Sequence, residues 1–132
     1  MTEEAAIGDN RTFELKGARI LVVEDEPLLL MELETILLEA GADVVGLCRS
    51  VGEALPLVDR GGFDVAVLDF GLGSETAAPI AERLRANATP FCFYTGQVST
   101  DPRLATWRDC VILQKPAHPH AIVAALAALI AG

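Results

Sequence analysis

Short unbroken apolar runs alternate along this chain with longer stretches in which apolar residues recur every three or four positions. The runs are Ile20-Leu21-Val22-Val23, Val65-Ala66-Val67-Leu68, Pro90-Phe91-Cys92-Phe93-Tyr94 and Cys110-Val111-Ile112-Leu113. A run apolar on both faces reads as a strand buried inside a parallel sheet. Strands are therefore expected at about 19–24, 43–48, 64–69, 91–95 and 110–113, with helices between them, as in a five-unit β/α protein wound through right-handed crossovers. The first helix opens at Pro27, buries Leu29, Leu33, Ile36, Leu37 and Ala40, and stops at Gly41. A second, near 51–60, contains Pro56. Gly71, Gly73 and Pro79 delay the third by an extended loop or first turn after Asp69. The fourth begins at Thr100 or Asp101 and holds about two turns before Trp107. The fifth covers roughly 118–131, with Ile122, Val123, Leu126, Leu129 and Ile130 among alanines.

Polar residues close these runs. The first strand ends in Glu24-Asp25, the third in Asp69, the fourth at Thr95, and the fifth near Lys115. Ligands of open parallel sheets gather beyond the carboxyl ends of the strands. Three carboxylates, a hydroxyl and an ammonium would meet at that edge. Crowded carboxylates raise one another's proton affinity unless a cation intervenes, and Mg²⁺, with its octahedral oxygen shell, suits that task. Each piece alone has a plainer reading. Glu24 to Glu26 complement a helix dipole, a lone Asp69 is more often a turn or cap residue, and Thr95-Gly96 and Lys115-Pro116 are ordinary strand ends and turns. Their joint occurrence at four strand ends favours a site. His118 and His120 read as exposed helix-entry residues, and Trp107, Cys48, Cys92 and Cys110 as packing.

The 132 residues, 52% of them hydrophobic, suit one domain with a full core. Nineteen acidic against ten basic residues give a formal charge of -9. That charge opposes binding to nucleic acid or anionic lipid, and no basic patch offsets it. Three cysteines without a CxxC pair indicate neither a disulfide framework nor a zinc site and favour the cytosol. No apolar run approaches the roughly 20 residues of a membrane span, so a soluble cytoplasmic protein is expected.

Val22-Val23-Glu24-Asp25-Glu26, the strand-ending Asp69, Thr95-Gly96 and Lys115-Pro116, in that order, resemble a receiver domain of the two-component response regulators. The resemblance covers residues 18–132 and leaves 1–17 as an N-terminal arm. It implies a CheY-like, flavodoxin-like (βα)5 fold with strand order 2-1-3-4-5. It also implies that Asp69 accepts a phosphoryl group and that Asp25 binds Mg²⁺ directly. Glu24 would complete the acidic pocket through water, and the backbone carbonyl of Gly71 would supply another ligand. Thr95 would sense the phosphoryl group and Lys115 would bind its oxygens.

Two features depart from the family pattern. The loop after Asp69 reads Phe70-Gly71-Leu72-Gly73-Ser74 where a Met-Pro pair is usual, and Ile112 occupies the usual aromatic switch position. Phe93-Tyr94-Thr95-Gly96 is similar to the single-domain FAT GUY regulators, with Tyr94 in place of alanine.

The implied function is a phosphorylation switch, not a turnover enzyme. A histidine kinase or phosphotransferase would load it, and it would act through contacts with another protein or as a phosphate sink. Two other readings are a phosphorylation-independent pseudo-receiver and a small aspartate-nucleophile phosphohydrolase, the latter disfavoured because no second aspartate lies two positions after Asp69. On a helical wheel Met31 and Leu38 lie opposite the core stripe, an apolar pair suited to kinase docking in proteins resembling this one. Residues 121–132 carry no charged or polar side chain. The outer side of the last helix is therefore expected to be covered, either by a second protomer in a homodimer or by the arm through Ile7, Phe13 and Leu15.

Overall fold

A computed structural model describes residues 13–96 and 101–132. In chain order the elements are β1 (Arg19–Val23), α1 (Pro27–Glu39), β2 (Asp43–Cys48), α2 (Val51–Arg60), β3 (Val65–Leu68), the two-residue strands β4 (Gly71–Leu72) and β5 (Glu75–Thr76), and α3 (Ala78–Ala86). There follow β6 (Phe91–Thr95), a 3-10 helix (Pro102–Trp107), β7 (Val111–Gln114) and α4 (Pro119–Ala131). Five parallel strands form one sheet in the order β2-β1-β3-β6-β7, which is 2-1-3-4-5 when the small β4–β5 hairpin is set aside.

Successive residues of a strand point to opposite faces, so each central strand feeds two cores. Leu21, Val23, Ala66, Leu68, Phe91 and Phe93 pack on the side of α2, α3 and the 3-10 helix. Ile20, Val22, Val65, Val67, Cys92 and Tyr94 pack on the side of α1 and α4. In the first core Phe93 meets Phe70 and Trp107 edge to face, at ring-centroid distances of 5.4 and 5.8 Å. Such pairs add directional attraction to the area they bury, which ties the segment after Asp69 to the 3-10 helix.

The expected α1 stripe is shifted by one residue at its start. Leu30, Leu33 and Leu37 are buried, while Leu29 and Ile36 are half-buried. Three consecutive leucines allow either phase, and the i, i+3, i+7 spacing from Leu30 matches the sheet surface. The opposite face exposes Met31 and Leu38 as expected, with Leu28 beside them at 78% exposure.

Three further differences have local causes. The extended loop after Asp69 is a hairpin, in which Gly71 pairs with Thr76 and Leu72 with Glu75. Gly73 takes φ +67 in its turn, a conformation glycine adopts without a Cβ clash. The fourth helix is a 3-10 segment capped by the Asp101 side chain, which accepts from Arg103 N. Its alternative start at Thr100 lies outside the described residues. The β7 run is apolar in sequence, yet it forms the sheet edge and leaves Val111 exposed.

Among the described residues the arm does not lie across the outer side of α4. Leu15 is buried in the α1–α4 core, held by bonds from Leu15 N to Ala40 O and from Gly17 N to Gly41 O, both 3.1 Å. Ala121, Ala124, Ala128 and Ala131 remain exposed, and Phe13 is 43% exposed. The arm residue turns inward because leucine gains more by entering the core than by lying across alanines. Ile7 lies outside the described residues.

Candidate functional site

The parallel register aligns the strand ends. Val23 pairs with Cys48 and Leu68, Leu68 with Phe93, and Thr95 with Gln114. Backbone bonds carry the alignment one residue further, from Glu24 N to Cys48 O at 2.9 Å, Asp69 N to Val23 O at 2.8 Å, and Lys115 N to Thr95 O at 2.9 Å. Glu24, Asp69, Thr95 and Lys115 are thereby brought to one edge of the sheet, and all but Lys115 are buried.

Glu24, Asp25 and Asp69 offer carboxylate oxygens that all lie within 4.8 Å of one another. Lys115 reaches into this cluster and donates from Nζ to Glu24 Oε1 at 2.8 Å and to Asp69 Oδ2 at 3.0 Å. The second Glu24 oxygen accepts from Glu26 N at 3.1 Å. Burial, together with the neighbouring Asp69 charge, pushes the Glu24 carboxyl up to about 7 against the opposing pull of Lys115. Burial also works against the Lys115 ammonium, but its bonds to Glu24 and Asp69 outweigh that and hold it above the usual lysine value. An all-oxygen donor set with excess negative charge has the chemistry of a hard divalent cation site.

Residue type alone did not reveal three supporting contacts. Gly73 N donates to Asp25 Oδ2 at 3.1 Å, so the β4–β5 hairpin is tied to the acidic cluster. Arg49 donates from Nε and Nη2 to the Asp25 carbonyl at 3.3 and 3.2 Å. Tyr94 lies under Lys115, with Nζ 5.6 Å from the ring centroid, and its hydroxyl accepts from Ala117 N at 3.2 Å. The tyrosine was legible as a departure from alanine, but its partners were not. Gly71 is exposed at the start of β4, directly after the buried Phe70. Ile112 is half-buried against the Phe93 side of the sheet. His118 caps α4 and accepts through Nδ1 from His120 N at 3.0 Å, while both histidines are exposed.

The sheet order and the acidic edge define a CheY-like receiver fold. Residues 20–127 match the response regulator receiver domain, and the chain belongs to that family. It is similar to the phyllosphere-induced regulator PhyR of Methylorubrum extorquens, with 30% identity over 82 residues, 60% of this chain and 31% of that protein. The solution structure of SdrG from Sphingomonas melonis Fr1 superposes with a TM-score of 0.73 at 40% identity, covering 88% of this chain and 98% of that one. The response regulator PhyR from Brucella abortus gives 0.73 at 26% identity, covering 96% of this chain and 52% of that one. The chain thus spans about a third to a half of the PhyR proteins it matches. Among the described residues no helix is long and apolar enough to cross a membrane.

Proposed function

We propose that this protein is a cytoplasmic phosphorylation switch in which Asp69 accepts a phosphoryl group from a histidine kinase or phosphotransferase. Residues 18–132 are the receiver unit, the 1–17 segment is an arm whose end at Leu15 and Gly17 docks beside α1, and Phe93-Tyr94-Thr95-Gly96 points to kinship with the FAT GUY regulators. The observation that carries the reading is the Lys115 ammonium bonded to Asp69 inside the Glu24, Asp25 and Asp69 cluster. It joins three carboxylates, with the chemistry of a nucleophile and of cation ligands, to a positive charge at one place.

In the proposed reaction an Asp69 oxygen attacks the donor phosphorus. The bond from phosphorus to the donor's imidazole nitrogen breaks, its electron pair stays on the imidazole, and an acyl phosphate remains on Asp69. Asp25, Asp69 and the Gly71 carbonyl would hold Mg²⁺, with Glu24 acting through water; when bound, the ion neutralises charge on the carboxylates and on the phosphoryl oxygens. Lys115 exchanges its Asp69 contact for a phosphoryl oxygen. Thr95 donates its hydroxyl to another, a contact present only in the loaded state and therefore able to shift a two-state equilibrium. The loaded protein then engages a downstream protein or drains phosphate from the kinase.

Incubation with acetyl phosphate, with and without Mg²⁺, tests this reading. A stoichiometric, Mg²⁺-dependent acyl phosphate is expected. Rapid multiple turnover would indicate a phosphohydrolase, and no label a pseudo-receiver.

A further inference from the structure

Asp25 is held from two sides by groups outside the acidic cluster. The parallel pairing of Val23 with Cys48 brings the residue after β2 alongside the β1–α1 loop. That residue is Arg49. Its backbone is fixed by the start of α2, where Arg49 N donates to Glu53 Oε1 at 2.7 Å and Glu53 N donates to Ser50 Oγ at 3.1 Å. Ser50 caps the helix as in a capping box, but the Glu53 carboxylate reaches back one residue further, to Arg49 N, and so anchors Arg49 itself. From that anchored backbone the guanidinium crosses to the neighbouring loop and places Nε and Nη2 on one oxygen, the Asp25 carbonyl. On the other side Gly73 N holds the Asp25 carboxylate through Oδ2.

We propose that Arg49 is a positioning residue for the cation site: it fixes the Asp25 backbone so that the carboxylate faces Glu24 and Asp69. The inference rests on the reading of Asp25 as a Mg²⁺ ligand. A planar fork on a carbonyl restricts both the position and the tilt of the peptide, which a single lysine ammonium does not. Groups that orient a metal ligand typically change metal affinity 10–100-fold when removed, and an exposed support acting through the backbone falls at about the lower end of that range.

Arg49 also carries a positive charge near the site, and that charge by itself opposes cation binding. The two effects have different signatures. Arg49→Lys keeps the charge and loses the fork, whereas Arg49→Gln loses both.

Isothermal titration of the full chain with Mg²⁺ alone tests the inference without any phosphoryl donor. Arg49→Lys is expected to raise the Mg²⁺ Kd by about tenfold, and Arg49→Gln to raise it less, because losing the charge offsets part of the loss of the fork. Labelling by acetyl phosphate should require correspondingly more Mg²⁺ but reach the wild-type rate at saturation. An unchanged Kd in Arg49→Lys would overturn the inference, as would a slower rate at saturating Mg²⁺ with unchanged Kd, which would assign Arg49 to the donor. A wild type that binds Mg²⁺ yet takes no label would refute the proposed function and leave the role of Arg49 standing. A wild type that binds no Mg²⁺ would overturn both.

Discussion

Lys115 Nζ lies 3.0 Å from Asp69 Oδ2, so the cation expected to meet phosphoryl oxygens is already bonded to the proposed acceptor. It also bonds Glu24, and both Glu24 oxygens therefore have protein partners. Asp25 is less committed, being half-buried and bonded through Oδ2 to Gly73.

This asymmetry predicts unequal effects on the metal. Asp25→Ala should weaken Mg²⁺ binding by about tenfold or more, a loss of roughly 1.4 kcal/mol, because a direct ligand is removed. Glu24→Gln should weaken it less, since the amide still fills the pocket. Equal losses in a calorimetric titration would contradict the division between a direct and a water-mediated ligand.

Leu28, Met31 and Leu38 expose an apolar stripe on α1. If a histidine kinase docks there, Met31→Glu and Leu38→Glu should each slow phosphotransfer from the kinase by about tenfold, the effect of losing one interface anchor. Labelling by acetyl phosphate should be unaffected. A parallel fall with both donors would place the defect in the phosphorylation site instead.

Leu15 is 1% exposed although it lies in the segment expected to be an arm. Leu15→Ala should therefore lower stability by about 2–5 kcal/mol in urea unfolding, the range for a truncated core leucine. Leu28→Ala, at 78% exposure, should change it by less than about 0.5 kcal/mol. Similar small effects would show that Leu15 contributes little to the core.

Burial raises the Cys92 thiol to about 12, and burial with the neighbouring Glu53 charge raises Cys48 to about 11. The thiolate is the reactive form, so a raised pKa leaves almost none of it at pH 8. Both residues should resist a thiol-specific disulfide reagent in the native protein and react only on unfolding. Half-buried Cys110 should react first. Rapid modification of all three at pH 8 would contradict the packing of β2 and β6.

The sheet and its acidic edge were legible because residue type carries them. Apolar runs ending in Glu24-Asp25, Asp69, Thr95 and Lys115 mark both the strands and the edge where ligands gather. The supports of the site were not legible. Gly73 acts through a backbone N–H, which every residue except proline possesses, and Arg49 acts on a backbone carbonyl. The β4–β5 hairpin is too short to show alternation. The phase of α1 was ambiguous because Leu28, Leu29 and Leu30 are identical, and only the sheet surface selects Leu30. The β7 run did not reveal its edge position, since apolarity alone does not report which neighbour is missing.

Mass spectrometry of the protein after incubation with acetyl phosphate and Mg²⁺, paired with Asp69→Asn, tests the central claim most directly. Wild type should gain one phosphoryl group, labile to hydroxylamine and mapped to the peptide containing Asp69. Asp69→Asn should gain none while keeping its fold, since the amide is nearly isosteric and relieves like-charge crowding with Glu24. Phosphorylation of Asp69→Asn at wild-type stoichiometry would contradict the account.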